Sequence, residues 1–332
     1  MSLTAYKLHF LGPIHISDAR SDYGRSERVV HSDTLYAALL AVQGMLSDNV
    51  HPDLGCSISS LFPFTVDEDS GSPVFFFPKP LIQLQDFLKE GYDDIKKLKR
   101  VEWLGQKYFE EILEGDLKSV INSETVQGSY LCKEKIDKDF VHSQVVPRVA
   151  VPRSADENDG ETNIFYIERT YFKEGSGLYF LAYGDTNLLD KLLSILQYEG
   201  IGTDRNVGFG HFSYEKVEDF QLIIPEQSDY CVSLSLFNSD NKELIQKITS
   251  GEKSAWEIVK RGGWMASQGN IGIRKKSVYM FSEGSIFLNQ IQGVEQEGKV
   301  DIDLKPDEAE GFVQPGHSVW RNGRALFLPI KI

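Results

Sequence analysis

Between Gly200 and Phe212 the chain reads Gly-Ile-Gly-Thr-Asp-Arg-Asn-Val-Gly-Phe-Gly-His-Phe. Four glycines in eleven residues, Gly200, Gly202, Gly208 and Gly210, let the backbone take positive φ and come close to a ligand. Consecutive amides in such a turn form a concave nest for an anion. Arg205 adds a fork of donors and Asn206 an amide, so phosphate is the natural ligand. The same glycines also suit a tight turn that binds nothing. Gly-Lys-Ser/Thr is absent, which excludes a Walker loop, and the segment follows a predicted helix, which excludes a Rossmann fingerprint.

Two other groups carry chemistry. From Arg261 to Lys276 the basic residues Arg261, Arg274, Lys275 and Lys276 occur without an acid, and from His317 to Ile332 so do Arg321, Arg324 and Lys331. Arg274, Lys275 and Lys276 are expected to face RNA or an acidic partner, and Trp264, Tyr279 and Phe281 could stack bases, although most such rings are core. Histidine side chains could supply general acid–base chemistry, for instance the cleavage of a phosphodiester. That chemistry also needs a partner base or acid and a cation over the scissile phosphate, which no spacing here supplies. Seven histidines and three cysteines show no metal-ligand spacing, so neither metal nor cofactor is expected.

The elements that must position these residues follow from periodicity. Tyr6 to Phe10 alternates as a half-buried strand and ends at Gly12-Pro13; the polar run Ser17 to Glu27 reads as a loop. Leu35, Ala38, Leu39, Val42 and Leu46 recur at helical spacing, with Ser32 or Asp33 as the expected cap, which puts His31-Ser32-Asp33 at a helix start. Val74 to Phe77 is strand-like, and Pro78 and Pro80 assign it to an edge or a short piece. Residues 84 to 122 read as a helical insertion with Lys96, Lys97, Lys99 and Arg100 solvated. Val145 to Val151 and Ile164 to Phe172 are strands around a polar hairpin tip, Ser154 to Asn163, and Leu178 to Tyr183 is another strand. A second helix carries Leu188 to Leu196, opened by Asp185 or Thr186 and stopped by Gly200. The order strand, helix, strands, helix, strand is the split βαβ pattern of a ferredoxin-like domain with insertions. A second unit begins near Tyr230, where Val232, Leu234 and Leu236 alternate with Ser233 and Ser235.

A length of 332 residues suits two domains, and 41% hydrophobic content suits ordinary packed cores. No apolar run is long enough to span a bilayer and no signal-peptide layout is visible, so a soluble, cytoplasmic protein with reduced, buried Cys56, Cys132 and Cys231 is expected. The net charge of −14 argues against a general nucleic-acid binder and leaves room only for a local basic groove.

The glycine-rich segment after its helix resembles the glycine-rich loop of the RAMP superfamily of CRISPR proteins. His31-Ser32-Asp33-Thr34-Leu35 resembles the start of their first helix, in the form typical of the subunit that caps the 5′ end of the CRISPR RNA in the type III-A (Csm) effector complex. Gly262-Gly263-Trp264, Arg274-Lys275-Lys276, Glu283-Gly284-Ser285 and His317 to Ala325 follow in the expected order, while residues 50 to 140 add nothing. The resemblance implies an α+β protein of two ferredoxin-like (RRM-like) domains with insertions, which we divide at residues 1–222 and 223–332. It implies a non-catalytic subunit that holds the CRISPR RNA 5′ tag beside the large polymerase-like subunit, with backbone RAMP subunits continuing along the guide and target RNA reached through the complex. The expected RNA-binding set is Gly200, Gly202, Arg205, Asn206, Gly208, Gly210, His31, Ser32, Arg148, Arg153, Arg274, Lys275 and Lys276. It also implies that an extended hairpin serves as a thumb displacing a nucleotide of the guide–target duplex, and Ser154 to Asn163 with its flanking strands is the candidate. Three alternatives remain open at this point: a RAMP endoribonuclease using His15 or His31, the equivalent type III-B subunit, and a metabolic α+β enzyme whose loop holds a phosphorylated metabolite.

Overall fold

A computed structural model describes residues 2–16, 24–27, 29–87, 95–150, 163–265, 274–289, 298–306 and 316–332. The first part of the chain forms β1 (Leu3–Phe10), α1 (Ser32–Leu46), β2 (Cys56–Ile58), β3 (Phe62–Val66) and β4 (Pro73–Pro78), then α2 (Ile95–Leu98), β5 (Trp103–Gly105) and α3 (Gln106–Leu113). It continues through β6 (Val126–Gln127), β7 (Tyr130–Leu131), β8 (Val141–Ala150), β9 (Asn163–Phe172), β10 (Gly177–Gly184), α4 (Asn187–Glu199) and β11 (Phe212–Phe220). The main sheet runs β11-β1-β10-β3-β4-β5-β7-β6, with β2 also on β10. Its pairs are antiparallel except β5 with β7.

β1 is buried on both faces rather than one. Tyr6 and Leu8, with Phe180 and Ala182 of β10, pack under Leu35, Leu39 and Val42 of α1 and Leu189, Leu192, Leu193 and Leu196 of α4. Leu3 and Ala5, with Tyr179 and Leu181, face the opposite way, onto Phe109 and Ile112 of α3 and onto the C-terminal part of the chain. That part contains β12 (Tyr230–Ser233), α5 (Lys242–Thr249), β13 (Ile258–Arg261), β14 (Val278–Phe281), β15 (Ile286–Leu288), β16 (Ile302–Asp303), β17 (Trp320–Arg321) and β18 (Phe327–Ile330). Its three-stranded sheet β15-β12-β18 supplies Val232, Leu234, Ile286, Leu326, Leu328 and Ile330 to the shared core, so the two parts are packed as one body of apolar side chains.

Several sequence expectations change here. β4 is interior, between β3 and β5, because its prolines stand only at its first and last positions and the amides of Val74 to Phe77 stay free to pair. Residues 84 to 122 are not a helical insertion alone: β5 extends the sheet and α3 covers it, while Lys96, Lys97, Lys99 and Arg100 are exposed as expected. Ser233 and Ser235 are fully buried rather than solvated, since Ser235 Oγ donates to the Ile58 carbonyl at 2.7 Å and accepts from the Leu326 amide at 2.9 Å. The cysteines are buried and free, and burial pushes each thiol up to about 12. Among the described residues no helix is long and apolar enough to cross a membrane.

Candidate nucleic-acid interface

α4 stops at Gly200, whose φ of 76° and amide bond to the Leu196 carbonyl turn the chain out of the helix. The loop then folds back onto the chain leaving β1. The amides of Gly210 and Thr203 donate to the carbonyls of Pro13 and His15 at 2.9 and 3.0 Å, and the Leu11 amide donates to His211. This closeness divides the four glycines. A Cβ on Gly210 would lie 1.9 Å from the Ile201 carbonyl oxygen, on Gly202 2.4 Å from that of His15, and on Gly200 2.8 Å from the His211 ring. Those three are required by the loop's own packing. Gly208, at φ 91°, has no described residue within 4 Å of the Cβ position, unlike the other three.

Around Gly208 the loop carries Arg205, half-buried, and Asn206, exposed. Asp204 sits in the left-handed region at φ 58°, and the amides of Asp204, Arg205 and Asn206 have no acceptor among the described residues. The Asp204 carboxylate accepts from Arg148 of β8, and the Arg169 guanidinium of β9 lies 4.9 Å from the Phe209 ring centre. The β8–β9 hairpin is therefore fastened across the loop by one ion pair and one cation–π contact. Arg148 of the expected RNA-binding set is thus paired with Asp204, neutralising the loop's acid, and Arg205 has no carboxylate partner among the described residues. Arg153 and residues 154–162 of the hairpin tip lie outside the described residues.

His31-Ser32-Asp33 is internal. His31 is the N-cap residue by backbone without a side-chain cap bond, so neither Ser32 nor Asp33 is the cap. Its Nδ1 lies 2.8 Å from Glu283 Oε1. Burial works against charge on Glu283, but His31 and the Ser60 hydroxyl hold its carboxyl below the usual value. Ser32 is buried, its amide donating to Ser60 Oγ and its hydroxyl accepting from the Leu236 amide, which removes it from the RNA-binding set. Asp33 is fully buried between two arginines, accepting from Arg261 at 3.0 and 3.2 Å and from Arg321. Arg261 also reaches Glu27 at 3.0 Å, and Arg321 donates to the Gly262 carbonyl. Burial pulls Arg321 down to about 10, with Glu27 opposing, and it remains a cation at neutral pH. Sequence reasoning missed this cluster. Its signal was present, because Arg261 and Arg321 belong to the acid-free stretches and their acid is in the His31-Ser32-Asp33 motif.

The basic segment is thereby reduced to Arg274, Lys275 and Lys276. Arg274 is exposed with its guanidinium 4.7 Å from the Trp264 ring centre; Lys275 is half-buried, and desolvation lowers its pKa; Lys276 is exposed. Trp264 and Tyr279 are exposed, whereas Phe281 packs among Phe237, Trp256 and Phe287. His15 is fully buried, with Nδ1 2.8 Å from the Glu168 carbonyl. The His15 ring is thus buried and the His31 ring is held against Glu283.

Residues 226–330 match the family model of the CRISPR Csm4 C-terminal domain. The chain is 26% identical over 288 residues to the CRISPR system Cms protein Csm4 of Thermococcus onnurineus, covering 81% of this chain and 85% of that protein. It is 22% identical over 282 residues to the Streptococcus thermophilus protein of the same name, covering 83% and 81%. In fold it is similar to a chain of a Csm3–Csm4 subcomplex of the type III-A interference complex, with a TM-score of 0.60, 17% identity and 99% of both chains covered. It is also similar to a chain of a Csm1–Csm4 cassette in complex with cA4, with a TM-score of 0.55, 21% identity and 99% and 98% covered.

Proposed function

On these matches we propose that the chain is a member of the Csm4 family and a non-catalytic, RNA-binding subunit of a type III-A CRISPR effector complex. In this reading it holds the 5′ tag of the CRISPR RNA at the glycine loop and links the large polymerase-like subunit to the backbone subunits, with target RNA reached through the assembly. The partners are carried over from the named solved complexes, which pair their Csm4 chains with Csm1 or Csm3. The observation that carries the RNA site is the division of the glycines. Three are consumed by internal packing, and of the four only Gly208 keeps open space among the described residues, beside Arg205 and Asn206. That combination of bare backbone, unused amides and a cation suits a phosphate.

We also read the fold as two ferredoxin-like units with insertions, meeting near residue 222. The strand order β11-β1-β10-β3, with α1 and α4 on one face, supports the first. The order β18-β12-β15, with Ala255 bridged to Ile286 where an outer strand would stand, supports the second. An endonuclease built on His15 or His31 is the weaker reading, since one ring is buried and the other is occupied by Glu283.

The chain should be purified from its host together with its neighbours and the bound RNA sequenced. Guides sharing one repeat-derived 5′ end are the expected result. RNA of random sequence, or none, would overturn the assignment.

A further inference from the structure

A second surface, on the C-terminal part, has the chemistry of a single-stranded RNA platform. β13 and β14 form a two-stranded ribbon in which Ile258 stands opposite Phe281, Val259 opposite Met280, Lys260 opposite Tyr279 and Arg261 opposite Val278. Side chains alternate along each strand. Val259, Val278 and Met280 therefore turn into a small core with Leu236, Ile302 and Leu304, and of the other set Ile258, Lys260 and Tyr279 turn outward while Phe281 packs on Phe237 and Phe287. On that outer face Ile258 is 51% exposed, Tyr279 62%, and Trp256, two residues before Ile258, 45%, its ring edge-on to Phe281 at 5.7 Å. At the far end Trp264 bridges to Arg274 and lies under its guanidinium.

The charge on this face is of one sign. Lys260 is exposed and neither it nor Arg274 has a carboxylate partner among the described residues, while Lys276 stands at the same end. The acid of the segment, Glu257, is out of register with the outer set and acts on Lys79. Exposed rings interleaved with cations are what a sequence-tolerant single-strand binder requires, because rings stack bases of any identity and cations follow the phosphates. The core of a protein interface, by contrast, is depleted in lysine. In a chain of net charge −14, a face on which the described strand residues place no acid is where RNA can approach.

We propose that the outer face of the β13–β14 ribbon, with Trp256, Lys260 and Tyr279 and with Trp264 and Arg274 at its far end, binds single-stranded RNA. It does so by base stacking and without sequence readout. This site is separate from the glycine loop and does not depend on recognition of a tag. The probe is a 4-thiouridine-containing oligouridylate lacking any repeat sequence, photo-crosslinked to the full chain at low salt, with the crosslinked peptides mapped and affinity followed by fluorescence anisotropy. Crosslinks should fall on 256–265 or 274–281, a duplex of the same length should compete poorly, and the double variant Trp264→Ala/Tyr279→Ala should bind about fivefold or more weakly at unchanged melting temperature. Crosslinks confined to other segments would overturn the proposal. So would unchanged RNA affinity in the folded variant, and if that variant also failed to bind a neighbouring subunit, the face would be assigned to protein.

Discussion

Glycines that look alike in the sequence differ in what they do. Gly208 and Gly210 both have positive φ, 91° and 69°, yet one faces open space and the other lies against the Ile201 carbonyl. Gly210→Ala must therefore move backbone as well as bear an unfavourable φ, whereas Gly208→Ala bears only the φ cost of about 1–2 kcal/mol. Thermal melting of the two variants should show a much larger drop for Gly210→Ala; equal drops would mean that the loop is not closed as described. The sequence announced a tight glycine loop because only that residue type tolerates these angles. Which glycine faces outward depends on the return of the chain past Pro13 and His15, about 190 residues away, and no local pattern encodes that.

Helices and strands were legible where their apolar period was long, as in α1, α4 and the β8–β9 pair, and less so where another element decided their surroundings. The run from β12 to Leu236 reads as alternating apolar and polar, but its serines are buried, Ser235 bonded to Ile58 and Leu326 and Ser233 to the Ser235 backbone. The start of α1 is the sharpest case. Its His-Ser-Asp sequence has the composition of a cap or a ligand site, and the structure uses it as the joint by which the helix is held to β13, β17 and the turn at Glu283. Asp33→Ala would leave Arg261 and Arg321 buried beside each other with Glu27 as the carboxylate in reach among the described residues, which costs about 3–5 kcal/mol for a broken buried pair. Denaturant unfolding should report a loss of that order, and a change of under about 1 kcal/mol would mean that water reaches the cluster.

Taken whole, the molecule uses its cations selectively, which is how the proposed RNA-binding role is reconciled with an acidic chain. Arg261 and Arg321 answer Asp33, Arg148 answers Asp204, and among the described residues Arg205, Lys260 and Arg274 have no carboxylate partner. Acids gather elsewhere, as at Glu215 and Glu218 on β11, where Lys7 and Lys216 pair with them. A total charge read from the sequence could not show this partition, because the pairs join residues about 56 to 288 positions apart. The assembly purified with Gly208→Val or Arg205→Ala in place of the wild-type chain, each variant first shown to melt normally, tests the loop most directly. Guide RNA per complex should fall in both, with Arg205→Ala losing one charge-assisted contact of about 1.5–3 kcal/mol and Gly208→Val at least as much. Normal guide occupancy in both folded variants would make the loop a turn and place the RNA elsewhere.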